Sequence, residues 1–334
     1  MAIGVIAVVA GIAVGITNPF LSDAASTQGT LIDDLFSVTL GIATTVFVIV
    51  QGLLLYSIIR FGREPDDDTD ALPIRGNTRL EILWTAVPAI IVVFIGLFSY
   101  RVLAEIERPR ADELVVEVTA LQYAWQFYYP DQDLKADELH IPVDRQVRLK
   151  LRSKDVIHSF WVPDFRMKKD AMPDRVTETF ITGDKLGTYP IVCAELCGAG
   201  HAVMRSQVVV ESDADFQEWL ASQGGAVQQA AQAAAADPLV AGKQAFNTYA
   251  CNACHALADA GAAGQIGPKL DGIGSRAGTA VAGQSAEEYL RTSILKPNAF
   301  GVSGYPANVM PQDYGLRMSD TDLAALVAYM LAQK

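Results

Sequence analysis

CAELCGAGHAVM, residues 193–204, sets two cysteines, a histidine and a methionine at intervals of four, four and three. The whole chain has only 4 cysteines and 4 histidines in 334 residues, so the clustering points to a ligand set. Thiolates select copper, zinc or iron–sulfur centres, while imidazole suits copper or zinc. An iron–sulfur cluster normally takes more cysteines. Zinc would be completed by Cys193, Cys197, His201 and one further histidine. A mononuclear blue-copper site uses a single cysteine, so the second thiol is surplus to it. Two thiolates, two imidazoles and a thioether suit two coppers bridged by both sulfurs. The second imidazole is on hand in DVIHSF (155–160), where His158 follows a β-rich run 35 residues before Cys193. Ligands this far apart meet when strands bring them together, and that makes the surrounding domain a β-structure.

The neighbouring sequence agrees. LVVEVTA (114–120), ELHIPV (138–143), QVRLKLRS (146–153), TETFIT (177–182) and RSQVVVE (205–211) are short β-rich runs divided by turn residues. They predict a small β-sandwich or Greek-key domain over residues 111–222. DFQEWLASQ (215–223) predicts a short helix, and the small-residue stretch 223–236 predicts a linker, although its Ala and Gln would equally extend the helix. Residues 237–334 turn helical, with AEEYLRTSIL (286–295) and SDTDLAALVAYMLAQ (319–333) as clear helices.

On the N-terminal side, 51% hydrophobic content reflects three apolar runs. Residues 35–59 and 82–100 contain no Asp, Glu, Lys, Arg or His and are long enough to cross hydrocarbon. They predict a transmembrane hairpin over residues 35–104. Residues 1–17 read as a removed signal peptide, with Ala24-Ala25-Ser26 as its cleavage site, or as an extra transmembrane helix. Residues 18–34 lack Lys and Arg, whereas loop 60–81 carries Arg60, Arg63, Arg75 and Arg79. The positive-inside rule puts that loop in the cytoplasm and everything after residue 104 outside. The expected location is a cell membrane, crossed more than once, with the later domains on the periplasmic or extracytoplasmic side. A net charge of −12, with no basic, aromatic-rich patch, excludes a nucleic-acid partner.

The C-terminal domain carries its own motif. Cys251-Asn252-Ala253-Cys254-His255 is CxxCH: two thiols for the vinyl groups of heme and an imidazole for its iron. A zinc site would need further Cys or His, which residues 256–334 lack, and a disulfide would leave His255 unexplained. The sixth iron ligand then falls to a thioether, Met310 or Met318. Met310 sits in the Pro-bounded NVMPQ (308–312) and is favoured, because Met318 adjoins the last helix, where an apolar staple is the ordinary role.

Gly242, Phe246 and Tyr329 fall where class I cytochromes c carry the glycine and aromatics of their crossed terminal helices, and the domain resembles that family. The resemblance gives the carbonyl of Pro268, in IGPKL (266–270), the role of holding His255. His158 with CxExCGxGHxxM, LEILWT (80–85) and DAMPDR (170–175) resembles the copper-A subunit II of cytochrome c oxidases over residues 30–220. The combination resembles the caa type, in which a cytochrome c is fused to subunit II. That implies a membrane anchor of two or three helices, a cupredoxin-like copper-A domain and an all-α class I cytochrome c.

By this resemblance His158, Cys193, Cys197, His201 and Met204 bind copper through side chains. Glu195 gives copper its backbone carbonyl, and its carboxylate helps hold magnesium at the subunit I interface. Tyr123, in QYAWQF (122–127), stands where the family's tryptophan accepts electrons. Asp174 replaces a family glycine. Glu81 becomes the entrance carboxylate of a proton channel. Implied partners are oxidase subunits I and III and an external donor, a cytochrome c or another small redox protein. The apolar runs hold no histidine, so oxygen is reduced in another subunit. Two alternatives share these parts: the copper-A subunit of a nitric oxide reductase, and a free membrane-anchored electron carrier. His140 has no metal role and reads as structural.

Overall fold

The structure is a computed structural model that describes residues 2–62, Pro73 and 76–334, with backbone only for residues 224–231 and Arg317. Most of the expected cytoplasmic loop, including Arg63 and Arg75, lies outside the described residues. The chain divides into two compact units, residues 1–109 with 164–166, and residues 110–163 with 167–334.

The first unit is helical: α1 (Ala2–Thr17), α2 (Thr27–Arg60) and α3 (Thr78–Ile106). Ser26 caps α2 by accepting from the Gly29 N–H, and Asn77 caps α3 by accepting from Arg79 and Leu80. At 34 and 29 residues, α2 and α3 exceed the roughly 20 residues that a bilayer core needs. Their aliphatic side chains point outward, as lipid-facing helices require, with Leu55, Ile59, Ile90 and Val92 all exposed. The 16-residue α1 packs on α2, where Gly11 and Gly15 meet Gly41 and let the backbones close up.

The second unit begins with a ten-stranded sandwich. Its strands are β1 (Leu114–Leu121), β2 (Ala124–Tyr129), β3 (Leu134–Ala136), β4 (Leu139–Pro142), β5 (Val147–Ser153), β6 (His158–Val162), β7 (Met167–Ala171), β8 (Thr177–Ile181), β9 (Gly187–Cys193) and β10 (Arg205–Glu211). One sheet has the order β3-β2-β1-β5-β8, the other β4-β10-β9-β6-β7. Alternate residues of β1, β2 and β5 are buried, so Val116, Val118, Trp125, Phe127, Leu149 and Leu151 form the layer between the sheets. β1 runs parallel to β5, with Val116 opposite Leu149. The result is a cupredoxin-like sandwich. The β6–β9 pairing sets Phe160 opposite Cys193, bringing the ends of two distant strands to one point. Between β7 and β8 the backbone bends at residues 173–175 without a left-handed φ at Asp174, so that turn has no need of a glycine.

Past β10 the expected short helix and linker form one helix, α4 (Asp213–Ala236). The Gly224-Gly225 pair is tolerated because the Ala- and Gln-rich run behind it carries high helix propensity. Trp219 of α4 stacks flat on His140 with ring centroids 4.1 Å apart, and His140 Nδ1 lies 3.1 Å from Glu211 Oε1. His140 therefore anchors the helix to the sandwich.

The cytochrome-like domain comprises α5 (Pro238–Thr248), α6 (Cys251–Cys254), a hairpin of β11 (His255–Leu257) and β12 (Ala262–Gln265), α7 (Ile273–Ala280), α8 (Ala286–Leu295), α9 (Tyr314–Arg317) and α10 (Asp320–Ala332). α5 crosses α10 at Gly242, where a Cβ would lie 2.2 Å from the Ala325 carbonyl oxygen. Only a missing side chain permits that approach. Phe246 meets Tyr329 edge-on across the same crossing, at 6.4 Å between ring centroids.

Candidate metal centre and heme cavity

Two strand ends and one turn converge on the first site. β6 begins at His158, β9 ends at Cys193, and Cys197, His201 and Met204 follow on the turn into β10. Cys193 Sγ and Cys197 Sγ are 3.8 Å apart, far beyond a disulfide's roughly 2.05 Å, and both cysteines are free. His158 Nδ1 lies 3.9 Å from Cys193 Sγ, and His201 Nδ1 lies 3.7 Å from Cys197 Sγ. Met204 Sδ is 3.9 Å from Cys197 Sγ, and the Glu195 carbonyl oxygen is 3.3 Å from Cys193 Sγ. Each sulfur thus has one imidazole beside it, and the sulfurs face each other. Among the described residues, His158, Cys193 and Cys197 are the set whose donor atoms lie within 4.8 Å of one another.

Asp155 and the sulfurs make the site favourable to positive charge. The hydrogen bond from Cys197 holds Cys193 far below the usual thiol range, and the same bond pushes Cys197 up. Burial works against a charged His158, but the Asp155 carboxylate and the Cys193 sulfur outweigh it and raise its affinity for a proton. Asp155 Oδ1 sits 2.8 Å from His158 Nε2, fixing the ring so that Nδ1 faces the sulfurs. His158, Met204 and both cysteines are buried, while Glu195 is exposed. Two soft sulfurs, a thioether, two imidazoles and an inward carbonyl fit a dinuclear copper centre.

The second site is a cavity of about 590 Å³ in the cytochrome-like domain. Cys251, Cys254, His255 and Met310 line it, whereas Met318 is buried in the helical core beside Tyr314 and Leu326. His255 Nδ1 lies 2.8 Å from the Pro268 carbonyl oxygen, which fixes the tautomer and leaves Nε2 for iron. Burial lowers His255, so the ring stays neutral, as a ligand must be. Ser293 also lines the cavity, and its hydroxyl is buried without a hydrogen-bond partner among the described residues, a place for a polar group of a guest. The cavity, its CxxCH rim and this orphan hydroxyl fit a covalent heme. Asn298 and Asn308 pair reciprocally, Nδ2 to Oδ1 at 2.7 Å and Oδ1 from N–H at 2.9 Å, and so brace the loop that presents Met310.

Met310→Ala is expected to convert the heme to a high-spin or water-ligated absorption spectrum. Met318→Ala is expected to leave that spectrum unchanged and to cost about 2–5 kcal/mol of domain stability, read by thermal unfolding.

Two sandwich residues reach this cavity, Gln122 and Tyr123, both in the turn between β1 and β2. Tyr123 is only 5% exposed, and a Cβ on Gly200 would lie 2.3 Å from its ring. Burial raises the Tyr123 phenol, while the backbone N–H groups of Gly200 and Ala199 pull it back down. Tyr123 is thus wedged between the copper loop and the heme cavity. Glu81 is exposed in the first turn of α3. Asp155 and Gln122 escaped the sequence reading. Asp155 had a signal in its spacing of three from His158; Gln122 had none.

Residues 14–102 match the family described as cytochrome c oxidase subunit II, transmembrane domain; residues 112–212 match its periplasmic domain; residues 239–334 match cytochrome c. A relative named cytochrome c oxidase subunit 2 from Thermostichus vulcanus is 38% identical over 269 residues, covering 65% of this chain and 82% of its own. A Synechocystis protein of that name is 33% identical over 267 residues, with 66% and 80% covered. The Bacillus subtilis protein of that name is 29% identical over 344 residues, with 96% and 94% covered.

Proposed function

We propose, for a chain that belongs to the cytochrome c oxidase subunit II family, that it takes electrons at a heme c in its C-terminal domain and passes them by way of dinuclear copper to subunit I. There oxygen is reduced to water with proton pumping. As a component of a heme-copper oxidase the chain is part of an oxidoreductase. The observation that carries the relay is the position of Tyr123 and Gln122, which line the heme cavity on one side and touch the copper loop on the other.

When bound, heme c and the copper pair supply carriers that each take and release single electrons. The protein's share is to hold and insulate them. Cys251, Cys254, His255 and Met310 hold the heme, with Pro268 orienting His255. His158, Cys193, Cys197, His201 and Met204 hold copper together with the Glu195 carbonyl, and the exposed Glu195 carboxylate is left for a magnesium shared with subunit I. Tyr123 is the inlet, a buried ring between the two sites.

The outlet is read at the exposed aliphatics beside the copper ligands. Leu196 is 79% exposed and Ile157 40%, and each adjoins a copper ligand. Bare aliphatics beside a metal centre suit a partner surface better than water, and subunit I is the partner read here, with subunit III beside it. The donor outside, a cytochrome c or another small redox protein, meets a nearly neutral domain, with 8 acidic and 7 basic residues over 237–334. The nitric oxide reductase alternative draws no support from the relatives above.

The test is composition. Complex purified through this chain should contain two coppers and one covalent heme per copy, together with a histidine-rich, heme-bearing integral partner. Zinc in place of copper, or no such partner, overturns the reading. Glu81 is the proposed proton entrance on the cytoplasmic side. Glu81→Ala should slow oxygen consumption without bleaching either cofactor, and normal turnover would leave Glu81 as an acid favourable to the α3 N-terminus.

A further inference from the structure

Gln122 touches both the copper site and the heme cavity. Its backbone N–H donates to Asp155 Oδ2 at 2.7 Å, and the other Asp155 oxygen holds His158 Nε2 at 2.8 Å. Its side-chain Nε2 donates to the Cys197 carbonyl oxygen at 2.6 Å, across 75 residues of sequence. The residue also forms part of the wall of the heme cavity. The two arms of the copper site, the start of β6 and the loop after β9, are therefore tied to one residue that borders the other cofactor's cavity.

The space for this arrangement is built in. A Cβ on Gly198 would come within 2.9 Å of Gln122 Nε2 and 2.4 Å of the Tyr123 hydroxyl, so the loop is bare where the carboxamide passes. Cys197 is 4% exposed, and buried carbonyls are nearly always hydrogen-bonded. A carboxamide offers that N–H without bringing a charge next to the sulfurs. Lys or Arg would reach as far, but would add a cation to a centre whose charge sets its potential.

We infer that Gln122 is a positioning residue for electron transfer, fixing Cys197 and, through Asp155, His158, while giving the heme cavity a hydrogen-bonded route to a copper ligand. The inference rests on the copper and heme assignments proposed above. It differs from the part read for Tyr123, which fills the gap between the sites.

The test uses the full chain in its purified complex, with Gln122→Met, which keeps reach and loses the donor, and Gln122→Glu, which keeps reach and presents an acceptor. In both, the copper signal in electron paramagnetic resonance should change shape. The rate at which flash-reduced heme passes its electron to copper should fall by about 10-fold to 100-fold, the usual effect of losing an outer partner. Copper content and the heme spectrum should stay as in the wild type. A wild-type copper signal and rate in both variants overturns the inference, and so does complete loss of copper from both, which would reduce Gln122 to holding the fold. Failure of the copper reading itself looks different, because the unsubstituted chain would then lack a dinuclear copper signal.

Discussion

Cys197→Ser is expected to stop electron delivery to the partner subunit while leaving the heme spectrum intact. Cys197 Sγ is the hub of the site, with Cys193 Sγ, His201 Nδ1 and Met204 Sδ all between 3.7 and 3.9 Å from it. A serine oxygen is hard and poorly polarisable, and it cannot bridge copper as a thiolate does. The remaining donors divide into Cys193 with His158 on one side and His201 with Met204 on the other, and neither pair has the sulfurs of a dinuclear site. Loss of an outer partner alone costs about 10-fold to 100-fold, so removal of a bridging ligand should exceed about 100-fold in oxygen consumption. Metal analysis should show the two-copper stoichiometry gone. The heme domain has its own core around Phe246, Leu326 and Tyr329, so heme content is the internal control. Oxygen consumption within a few-fold of wild type would overturn the bridging role.

The second large effect concerns the heme. Cys251→Ser with Cys254→Ser removes both attachment thiols, and donor oxidation is expected to fall to background even though copper remains. The reason is access. Tyr123 is 5% exposed, it borders the heme cavity, and Gln126 Nε2 reaches the Thr248 carbonyl oxygen at 3.3 Å just beside it. With Tyr123 as the proposed inlet, the C-terminal domain lies over the way in. A small chemical reductant should still reduce the copper of the heme-free chain, which separates blocked access from a damaged copper site. Normal turnover with a protein donor would show that the covering is easily displaced.

The two clusters of donor residues were legible because each is local in sequence. CxxCH and the twelve residues from Cys193 to Met204 carry most of their donors within one or two turns of backbone, and His158 was found because the set lacked an imidazole. The β-fold was read from strands that alternate, such as β1, β5 and β10. β6 was missed as a strand because HSFWV is buried on nearly every residue and has no period of two. β9 contains Pro190 and opens at Gly187, residues that usually mark turns. The stretch after Gln223 was read as a linker from its small-residue, low-complexity composition, and the alternative of a helical extension through its alanine and glutamine is what forms. The Gln122–Cys197 bond was out of reach altogether. It joins residues 75 apart, and no spacing rule announces a carboxamide that packs across a sandwich.

The unbroken α4 changes how the heme-bearing domain should be pictured. A floppy tether would let that domain forage, trading a high local concentration for many orientations. A 24-residue helix spans about 36 Å at 1.5 Å per residue and transmits rotation as well as distance. Each residue added to or removed from it would turn everything downstream by about 100°. Its length is therefore a phase setting: a one-residue change would swing the wall of the heme cavity away from Tyr123, whereas a change near a whole turn would nearly restore the angle and alter only the reach. Natural length variation in this segment should cluster at such steps, so that the strut acts as a gear as well as a spacer.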